Sequence, residues 1–188
     1  MQHTNGMLYG VTSAGGTSSL GTVYSVDMGL GSFVALTRYR GKVGGVVQIL
    51  GGGLIGTSSV AFNGAPASFT VVSDTYLTAV VPNGATTGPV TVTTAGGNLT
   101  SNNTFRVRPV ILSFSPSSGP AGTAVTLSGT TLAQTTRVAF GGVKATTFVV
   151  NSDMQVTATV PTGAQTGRII IGTPDGIAVS VGTFTVVQ

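Results

Sequence analysis

The chain contains two copies of one sequence pattern, separated by 78 or 79 residues. The segment TSSVAFNG at 57–64 returns as TTRVAFGG at 135–142, and LTAVVPNGATTG at 77–88 returns as VTATVPTGAQTG at 156–167. Eight of the last twelve positions are identical. A period of this length is too long for a solenoid repeat and is typical of a small β-sandwich domain. The duplication therefore predicts two homologous modules in tandem.

Apolar residues within both copies alternate with polar ones, as half-buried strands require. Val47 and Ile49 match Val125 and Leu127 at this spacing of two. Turn residues recur at equivalent places as well, and the matching sets are Asn63-Gly64 with Gly141-Gly142 and Pro82 with Pro161. Such Gly pairs favour tight turns, and a Pro ends a strand that runs inside a sheet.

These patterns predict seven short strands for each module, with a turn signal every eight to twelve residues. In the first module we expect strands near 32–37, 45–50, 58–62, 67–72, 76–81, 89–94 and 103–107. In the second module we expect strands near 109–114, 123–128, 136–140, 146–150, 155–160, 168–172 and 182–187. The predicted fold is therefore all-β, with two tandem immunoglobulin-like Greek-key sandwiches and a short N-terminal β-hairpin segment.

Composition leaves few side chains for chemistry. Charged residues make up 6% of the chain, Glu and Cys are absent, and only one His and four Asp are present. His3 lies near the terminus, and the Gly51–Gly53 run lacks the Lys-Ser/Thr and the helix of a phosphate-binding loop. We therefore expect no enzyme activity, no catalytic residues, no cofactor and no metal.

The Asp residues are expected to serve in turns. Asp74 and Asp153 follow a Ser at equivalent positions of the two copies, where an Asx turn would hold the backbone. Asp175-Gly176 is also a turn signature, and none of these positions belongs to a DxDxD-like calcium motif.

One part of the chain resembles a known family. The segment PVILSFSPSSGPAGTAVTLSGTTL at 109–132, followed by VAFGG, the Ser-Asp pair and VPTGAQTG, resembles the IPT/TIG immunoglobulin-like domain. Residues 109–188 match this pattern almost completely. Residues 32–108 match it from Gly41 onward, with SFVALTRYRG in place of the leader that carries Ser115-Pro116 in the second copy. The resemblance implies two such domains, at 32–108 and 109–188.

Residues 1–31 form a third segment of different character. The run NGMLYGVTSAGGTSSLGTVYSVDMG resembles one unit of the Gly-rich YG…GTV repeat of large bacterial surface proteins. We expect residues 7–11 and 22–26 to pair as a β-hairpin. A hairpin of this size is marginal alone in water, so it needs either the first module or a neighbouring chain to pack on.

Exposed Tyr and Arg are the best candidates for an interaction surface, because these residue types are favoured in protein contacts. Tyr76 aligns with Gln155 on the strand face opposite Leu77, so we expect it to be exposed. The candidate residues are Tyr9, Tyr24, Arg38, Tyr39, Arg40 and Tyr76.

The leading hypothesis is a non-enzymatic extracellular structural or adhesive β-protein of a bacterial cell surface. Its sharper version is a filament in which the N-terminal strands add to the next subunit, so that the partners are further copies or other surface proteins. The alternative is a carbohydrate-binding or spacer module of a larger secreted protein, with polysaccharide as the partner. We expect export through a signal outside these residues, because no signal-peptide pattern is visible here.

Nucleic-acid binding is a third hypothesis, since transcription factors share this type of domain. The formal net charge of +4 comes from eight Lys and Arg against four Asp. Arg38 and Arg40 share one face of a predicted strand, as do Arg106 and Arg108. A nucleic-acid surface requires denser basic clusters and stacking aromatics than this pattern shows. No apolar run is long enough to cross a bilayer.

Overall fold

The computed structural model of the protein describes residues 7–29 and 31–187, and this part of the chain is all-β. Two strands precede the sandwiches, namely β1 (Met7–Val11) and β2 (Val23–Asp27), and they pair antiparallel as a sheet of their own. Among the described residues, no helix is long and apolar enough to span a membrane. The predicted fold class and the predicted N-terminal hairpin are both confirmed.

The first sandwich is built from strands between Phe33 and Val107. They are β3 (Phe33–Leu36), β4 (Arg40–Gly41), β5 (Val46–Gly52), β6 (Ser59–Phe62), β7 (Ala65–Ala67), β8 (Phe69–Ser73), β9 (Tyr76–Val80), β10 (Val90–Thr94), β11 (Gly97–Thr100) and β12 (Arg106–Val107). One sheet has the order β3-β5-β9-β8 and the other has the order β11-β10-β6-β7. Strands β4 and β12 pair in parallel at the edge.

The second sandwich repeats this arrangement. Its strands are β13 (Val110–Ser115), β14 (Ser118–Gly119), β15 (Ala124–Thr130), β16 (Arg137–Phe140), β17 (Val143–Lys144), β18 (Phe148–Ser152), β19 (Gln155–Thr159), β20 (Gly167–Thr173) and β21 (Gly176–Val186). The sheets have the orders β13-β15-β19-β18 and β14-β21-β20-β16-β17. Strand β14 pairs in parallel with β21, as β4 does with β12.

Each sandwich has its own hydrophobic core, formed by the apolar residues that alternate along the strands. Val47 and Ile49 are buried in the first core, and Val125 and Leu127 are buried in the second. The ring of Phe62 packs edge-on against that of Phe105, with centroids 5.0 Å apart, and Phe140 packs in the same way against Phe184 at 5.3 Å. The period-two pattern therefore identifies the residues that fill both cores.

Two hairpin turns lie at the Asn-Gly and Gly-Gly pairs where the sequence predicts them. Asn63 and Gly64 have φ values of 46° and 88° and connect β6 to β7 as a two-residue hairpin. Gly141 and Gly142, with φ values of 53° and 90°, make the same connection between β16 and β17. The exact limits predicted for the three segments of the chain stay predictions.

The predicted strands omit the short strands β4, β7, β14 and β17 and one longer element in each sandwich. Strand β11 and the first half of β21 were expected to be loop, but both fold back on the preceding strand through a tight turn. A buried Ser lies at each of these places: Ser101 directly follows β11, and Ser180 lies within β21. The Ser101 hydroxyl accepts a hydrogen bond from the Val90 N–H at 3.0 Å, and Ser180 accepts one from Ile169 at 2.9 Å. The pattern missed β11 because Leu99 is the one residue of that strand that packs on the core. It missed the start of β21 because Ile177 and Val179 are exposed there while Ala178 and Ser180 are buried.

The N-terminal hairpin exposes apolar side chains. Val11 is 75% exposed and Val23, directly opposite it, is 78% exposed. The Tyr24 ring lies over Gly10 on the neighbouring strand, where any side chain would collide with it. The hairpin thus holds together by local pairing and carries an uncovered apolar surface.

Candidate functional site

The leader SFVALTRYRG of the first sandwich crosses from one sheet to the other. Its first half is β3, paired with β5, and its second half is β4, paired with β12. The N–H of Arg106 donates to the carbonyl of Tyr39 at 2.7 Å, and the N–H of Arg108 donates to the carbonyl of Gly41 at 2.7 Å. The crossing leaves Arg38, Tyr39 and Arg40 exposed on the edge.

Gly41 brings this edge close to the core. A β-carbon at position 41 would lie 2.8 Å from Cζ of the buried Phe105, closer than β-carbons approach other atoms. Only Gly therefore allows β4 to lie directly on the Phe105 ring. The backbone beneath the exposed side chains is consequently held by core packing as well as by the β4–β12 hydrogen bonds.

Parallel pairing of β4 with β12 brings two basic segments together. Arg40 lies directly opposite Arg106, and paired residues point to the same face of a sheet. Five of the chain's eight Lys and Arg residues thus lie along this edge. We call them the cationic edge, and they are Arg38, Arg40, Lys42, Arg106 and Arg108.

The cationic edge borders an open groove. Its larger hollow has a volume of about 460 Å³ and is lined by Arg38, Tyr39, Arg40, Gly41, Lys42 and Arg108. A second hollow of about 230 Å³ is lined by Thr37, Arg38, Val46 and Gln48. Arg38 lines both hollows, so they are neighbours on the leader, and together we call them the groove.

The Asp carboxylates of the chain are engaged elsewhere. Asp27 accepts from the N–H of Gly29 in the hairpin at 2.9 Å. Asp175 accepts from the Thr87 hydroxyl at 2.7 Å. Asp74 and Asp153 accept hydrogen bonds from loop N–H groups of the first and second sandwich, respectively. The positive charge of the groove is therefore not balanced by an Asp that is free to pair with it.

Asp74 and Asp153 have a structural role that differs from the predicted Asx turn. The turn itself is closed by the preceding Ser, because the Thr75 N–H donates to Ser73 Oγ at 3.2 Å. Asp74 instead reaches across to the loop after β5 and accepts from the N–H of Ile55 at 3.1 Å. Asp153 accepts from the N–H of Ala133 at 3.2 Å in the second sandwich. The Asx-turn assignment was wrong because the carboxylate bonds to a loop some twenty residues away.

The other candidate residues lie apart from the groove. Tyr9 and Tyr24 are on neighbouring cross-strand pairs of the hairpin, so they face opposite sides of it. Tyr76 lies opposite Leu50 on the outer face of the β5–β9 pair and is only partly exposed, which corrects the expectation that it is exposed. Tyr76 lines neither hollow.

The groove offers binding chemistry rather than acid–base chemistry. Guanidinium and ammonium groups are hydrogen-bond donors that carry positive charge, and Tyr39, 51% exposed, adds an aromatic face and a hydroxyl. The lining contains no carboxylate, imidazole or thiol. Within residues 7–29 and 31–187, no three His, Cys, Asp or Glu side chains come together as metal ligands. His3 lies outside the described residues.

The same edge of the second sandwich has the same backbone and no charge. Ser118 and Thr185 are paired there as Arg40 and Arg106 are paired in the first sandwich. Counting along the chain from these pairs, the remaining counterparts are Pro116 for Arg38, Ser117 for Tyr39, Pro120 for Lys42 and Val187 for Arg108. Local sequence reading found Arg38, Tyr39 and Arg40 but missed Lys42, Arg106 and Arg108 as members of one site.

The two sandwiches meet beside the groove. The Thr87 hydroxyl accepts from the N–H of Val107 at 3.0 Å and donates to Asp175 of the second sandwich. The aliphatic part of Arg108 lies near Gly176, since a β-carbon there would be 3.6 Å from Cγ of Arg108. One member of the cationic edge therefore touches the second sandwich.

A scan against protein-family models matches the IPT/TIG domain to residues 32–107 and again to residues 109–186. Both sandwiches fall within these matches. No family match covers the N-terminal segment, so its resemblance to a Gly-rich repeat stays a prediction. None of the curated proteins compared with the chain matches it.

Several solved structures share the fold at low similarity. A surface glycan-binding protein from Prevotella bryantii has 16% identity and a TM-score of 0.48, over 81% of this chain and 41% of that one. SGBP-B from a xyloglucan utilization locus of Bacteroides uniformis has 22% identity and a TM-score of 0.39, over 83% and 50%. The extracellular region of plexin A4 has 17% identity and a TM-score of 0.39, over 83% and 18%. The chain thus spans half or less of these proteins. Similarity this low carries no argument about function.

Proposed function

We propose that this chain, which belongs to the IPT/TIG domain family, is a non-enzymatic glycan-binding module of a cell-surface or secreted protein. The main support for the proposal is the open groove over the leader, where the exposed Tyr39 lies among Arg and Lys side chains that donate hydrogen bonds. This is the alternative that the sequence left open, and it is now preferred to a purely structural role. The surface glycan-binding proteins named above belong to the same class, but their TM-scores are too low to support it.

The chemistry of the groove suits a sugar chain. An exposed Tyr ring provides a flat apolar face for the carbon–hydrogen face of a sugar ring, and its hydroxyl stays in water. Arg and Lys side chains donate hydrogen bonds to hydroxyl groups, and Thr37 and Gln48 extend the polar lining. Both hollows are open to solvent, which fits a polymer better than a small molecule enclosed in a pocket.

Retention on polysaccharides tests this function. We expect the intact chain to be retarded in affinity electrophoresis through gels that contain a suitable soluble polysaccharide. Tyr39→Ala should weaken retention about fivefold, because aromatic contacts of this kind contribute about 1 kcal/mol. Tyr76→Ala is the matched control and should bind normally, since Tyr76 lines neither hollow. Failure of the intact chain to bind any glycan, or an equal loss in both variants, would refute the assignment.

A second function, assembly into a filament, is favoured by the N-terminal hairpin. Among the described residues β1 and β2 form a sheet of their own, and Val11, Val23 and Val26 are exposed on it. A two-stranded sheet is marginal in water, and a strand from a second copy of the chain would extend it by backbone pairing.

Light scattering and electron microscopy of the concentrated intact chain test this second function. We expect polymers that dissociate when Val11→Lys and Val23→Lys place charges directly opposite each other on the hairpin. Val181→Lys is the control, because Val181 is equally exposed but lies in the second sandwich. A monodisperse monomer at all concentrations would exclude assembly.

A further inference from the structure

We propose that the groove binds an acidic polysaccharide, whose carboxylate or sulfate groups pair with the cationic edge. This inference rests on the proposed glycan-binding function and specifies its substrate class. Its main support is that four cations of the cationic edge line one hollow together with the exposed Tyr39, and that the fifth, Arg106, is paired with Arg40.

The cationic edge brings like charges close together. Arg40 and Arg106 are opposed on strands that lie about 4.8 Å apart, an arrangement that disfavours the fold unless an anion relieves it. The Asp carboxylates bond to backbone N–H groups and to Thr87 instead. A bound polyanion would supply the missing negative charge and gain from releasing its counterions.

The fold itself does not require these cations. In the second sandwich the same parallel edge forms with Ser118 opposite Thr185, and neither residue is charged. The core residues beneath the two edges are equivalent, since Phe105 and Phe184 are both fully buried against a Phe partner. Charge on the first edge is therefore best explained by an external ligand.

The arrangement of the cations suits an extended polymer. Arg38, Arg40 and Lys42 are alternate residues of the chain, and all three line the larger hollow. Charges spread in this way match a linear polymer with anions at intervals better than one compact multivalent anion. The planar guanidinium of Arg also forms paired hydrogen bonds with carboxylate and sulfate oxygens.

An acidic polysaccharide fits this surface better than a nucleic acid. Proteins that bind single-stranded nucleic acid present several aromatic side chains on which successive bases stack. In the groove only Tyr39 is aromatic, since Tyr76 lines neither hollow and Phe105 is buried. The second hollow, with its uncharged Thr37 and Gln48, would take the neutral part of a sugar unit.

The experiment measures binding of the intact chain to four probes: polygalacturonate, dextran sulfate, unmodified dextran and single-stranded DNA. We expect binding to the two acidic polysaccharides that weakens about tenfold or more between 50 and 200 mM salt, since about two ion pairs already give a tenfold loss by counterion release. The edge variant Arg40→Ser with Arg106→Thr copies the second sandwich and should weaken this binding about tenfold or more. Its melting temperature should not fall, because the second sandwich folds with these residues.

A variant with the same loss of charge serves as the control. Lys144→Ser with Arg168→Thr removes two exposed cations from the second sandwich and should change binding less than twofold. An equal effect of both double variants would mean that only net charge matters, and the site would be wrong.

The remaining outcomes separate this inference from the proposed function. Binding of neutral dextran or another neutral glycan that the edge variant retains would overturn the acidic ligand and leave glycan binding intact. Binding of none of the polysaccharides would overturn both. Preference for single-stranded DNA over both acidic polysaccharides would replace both with nucleic-acid recognition.

Discussion

The edge formed by β4 and β12 and the edge formed by β14 and β21 have the same backbone pairing but different surfaces. Both are short parallel ladders that follow a leader strand as it crosses between sheets. The first carries five cations and Tyr39, and the second carries Ser, Thr, Pro and Val. Because one fold tolerates both surfaces, the side chains on these edges are free to serve binding. The second sandwich is therefore an internal control for the first.

The largest expected effect concerns the core beneath each edge. Phe105→Ala and Phe184→Ala each remove a fully buried ring, so each should lower the free energy of unfolding by about 3–5 kcal/mol. Phe105→Ala should also abolish polysaccharide binding, because Gly41 and the groove rest on that ring. Phe184→Ala should leave binding intact at temperatures where the first sandwich is folded. Calorimetry with binding assays checks this, and equal loss of binding in both variants would contradict it.

A smaller effect is expected at the contact between the sandwiches. Thr87 and Thr166 are equivalent, and their hydroxyls accept from the N–H groups of Val107 and Val186 at 3.0 and 2.9 Å. Thr87 also donates a hydrogen bond to the charged Asp175 carboxylate, so replacing Thr87 removes a second interaction. Thr87→Val should cost about 2 kcal/mol and Thr166→Val about 1 kcal/mol, since a hydrogen bond to a charged group contributes more.

Chemical denaturation measures the difference between these Thr variants, and small-angle scattering reports the relative orientation of the sandwiches. We expect a wider range of orientations in Thr87→Val only. Identical behaviour of the two variants would show that the Thr87–Asp175 bond contributes nothing to the junction.

The smallest effect concerns the loop after the first long strand of each sandwich. Gly53 and Thr131 are equivalent and both have positive φ, 74° and 59°. A β-branched residue is strained in this region, and the Thr131 hydroxyl is buried without a hydrogen-bond partner. Thr131→Gly should therefore raise the free energy of unfolding by about 0.5–1 kcal/mol, and Gly53→Thr should lower it. Thermal melts check both signs, and a destabilised Thr131→Gly would disprove the strain.

Much of the fold follows from local pattern. The alternation at Val47, Ile49, Val125 and Leu127 identifies core residues, and the Gly pairs mark the hairpin turns where the structure has them. The family match to both modules confirms the tandem that the repeat predicts. Alternation fails at strand β11, where only Leu99 packs on the core, and at the start of β21, where Ile177 and Val179 are exposed and Ser180 is buried.

The candidate site is less visible in the sequence. Arg38, Tyr39 and Arg40 attract attention because they replace the expected leader, and their role stays a prediction until binding is measured. Tyr76 looked exposed from its strand position, but strand position does not reveal that Leu50 lies beside it on the next strand. The role of Tyr9 and Tyr24 depends on what covers the hairpin, and it too stays a prediction.

Duplication, alternation and turn residues are local properties, so reading along the chain is enough to define two β-sandwiches and the hairpin before them. The cationic edge is a different matter, because Arg40 and Arg106 are far apart in the chain and become neighbours only when β4 pairs with β12. That pairing depends on the leader crossing between sheets and on Gly41 lying against Phe105. The Arg38/Arg40 pair and the Arg106/Arg108 pair thus form one cluster of positive charge, because strand pairing joins two segments that no local pattern connects.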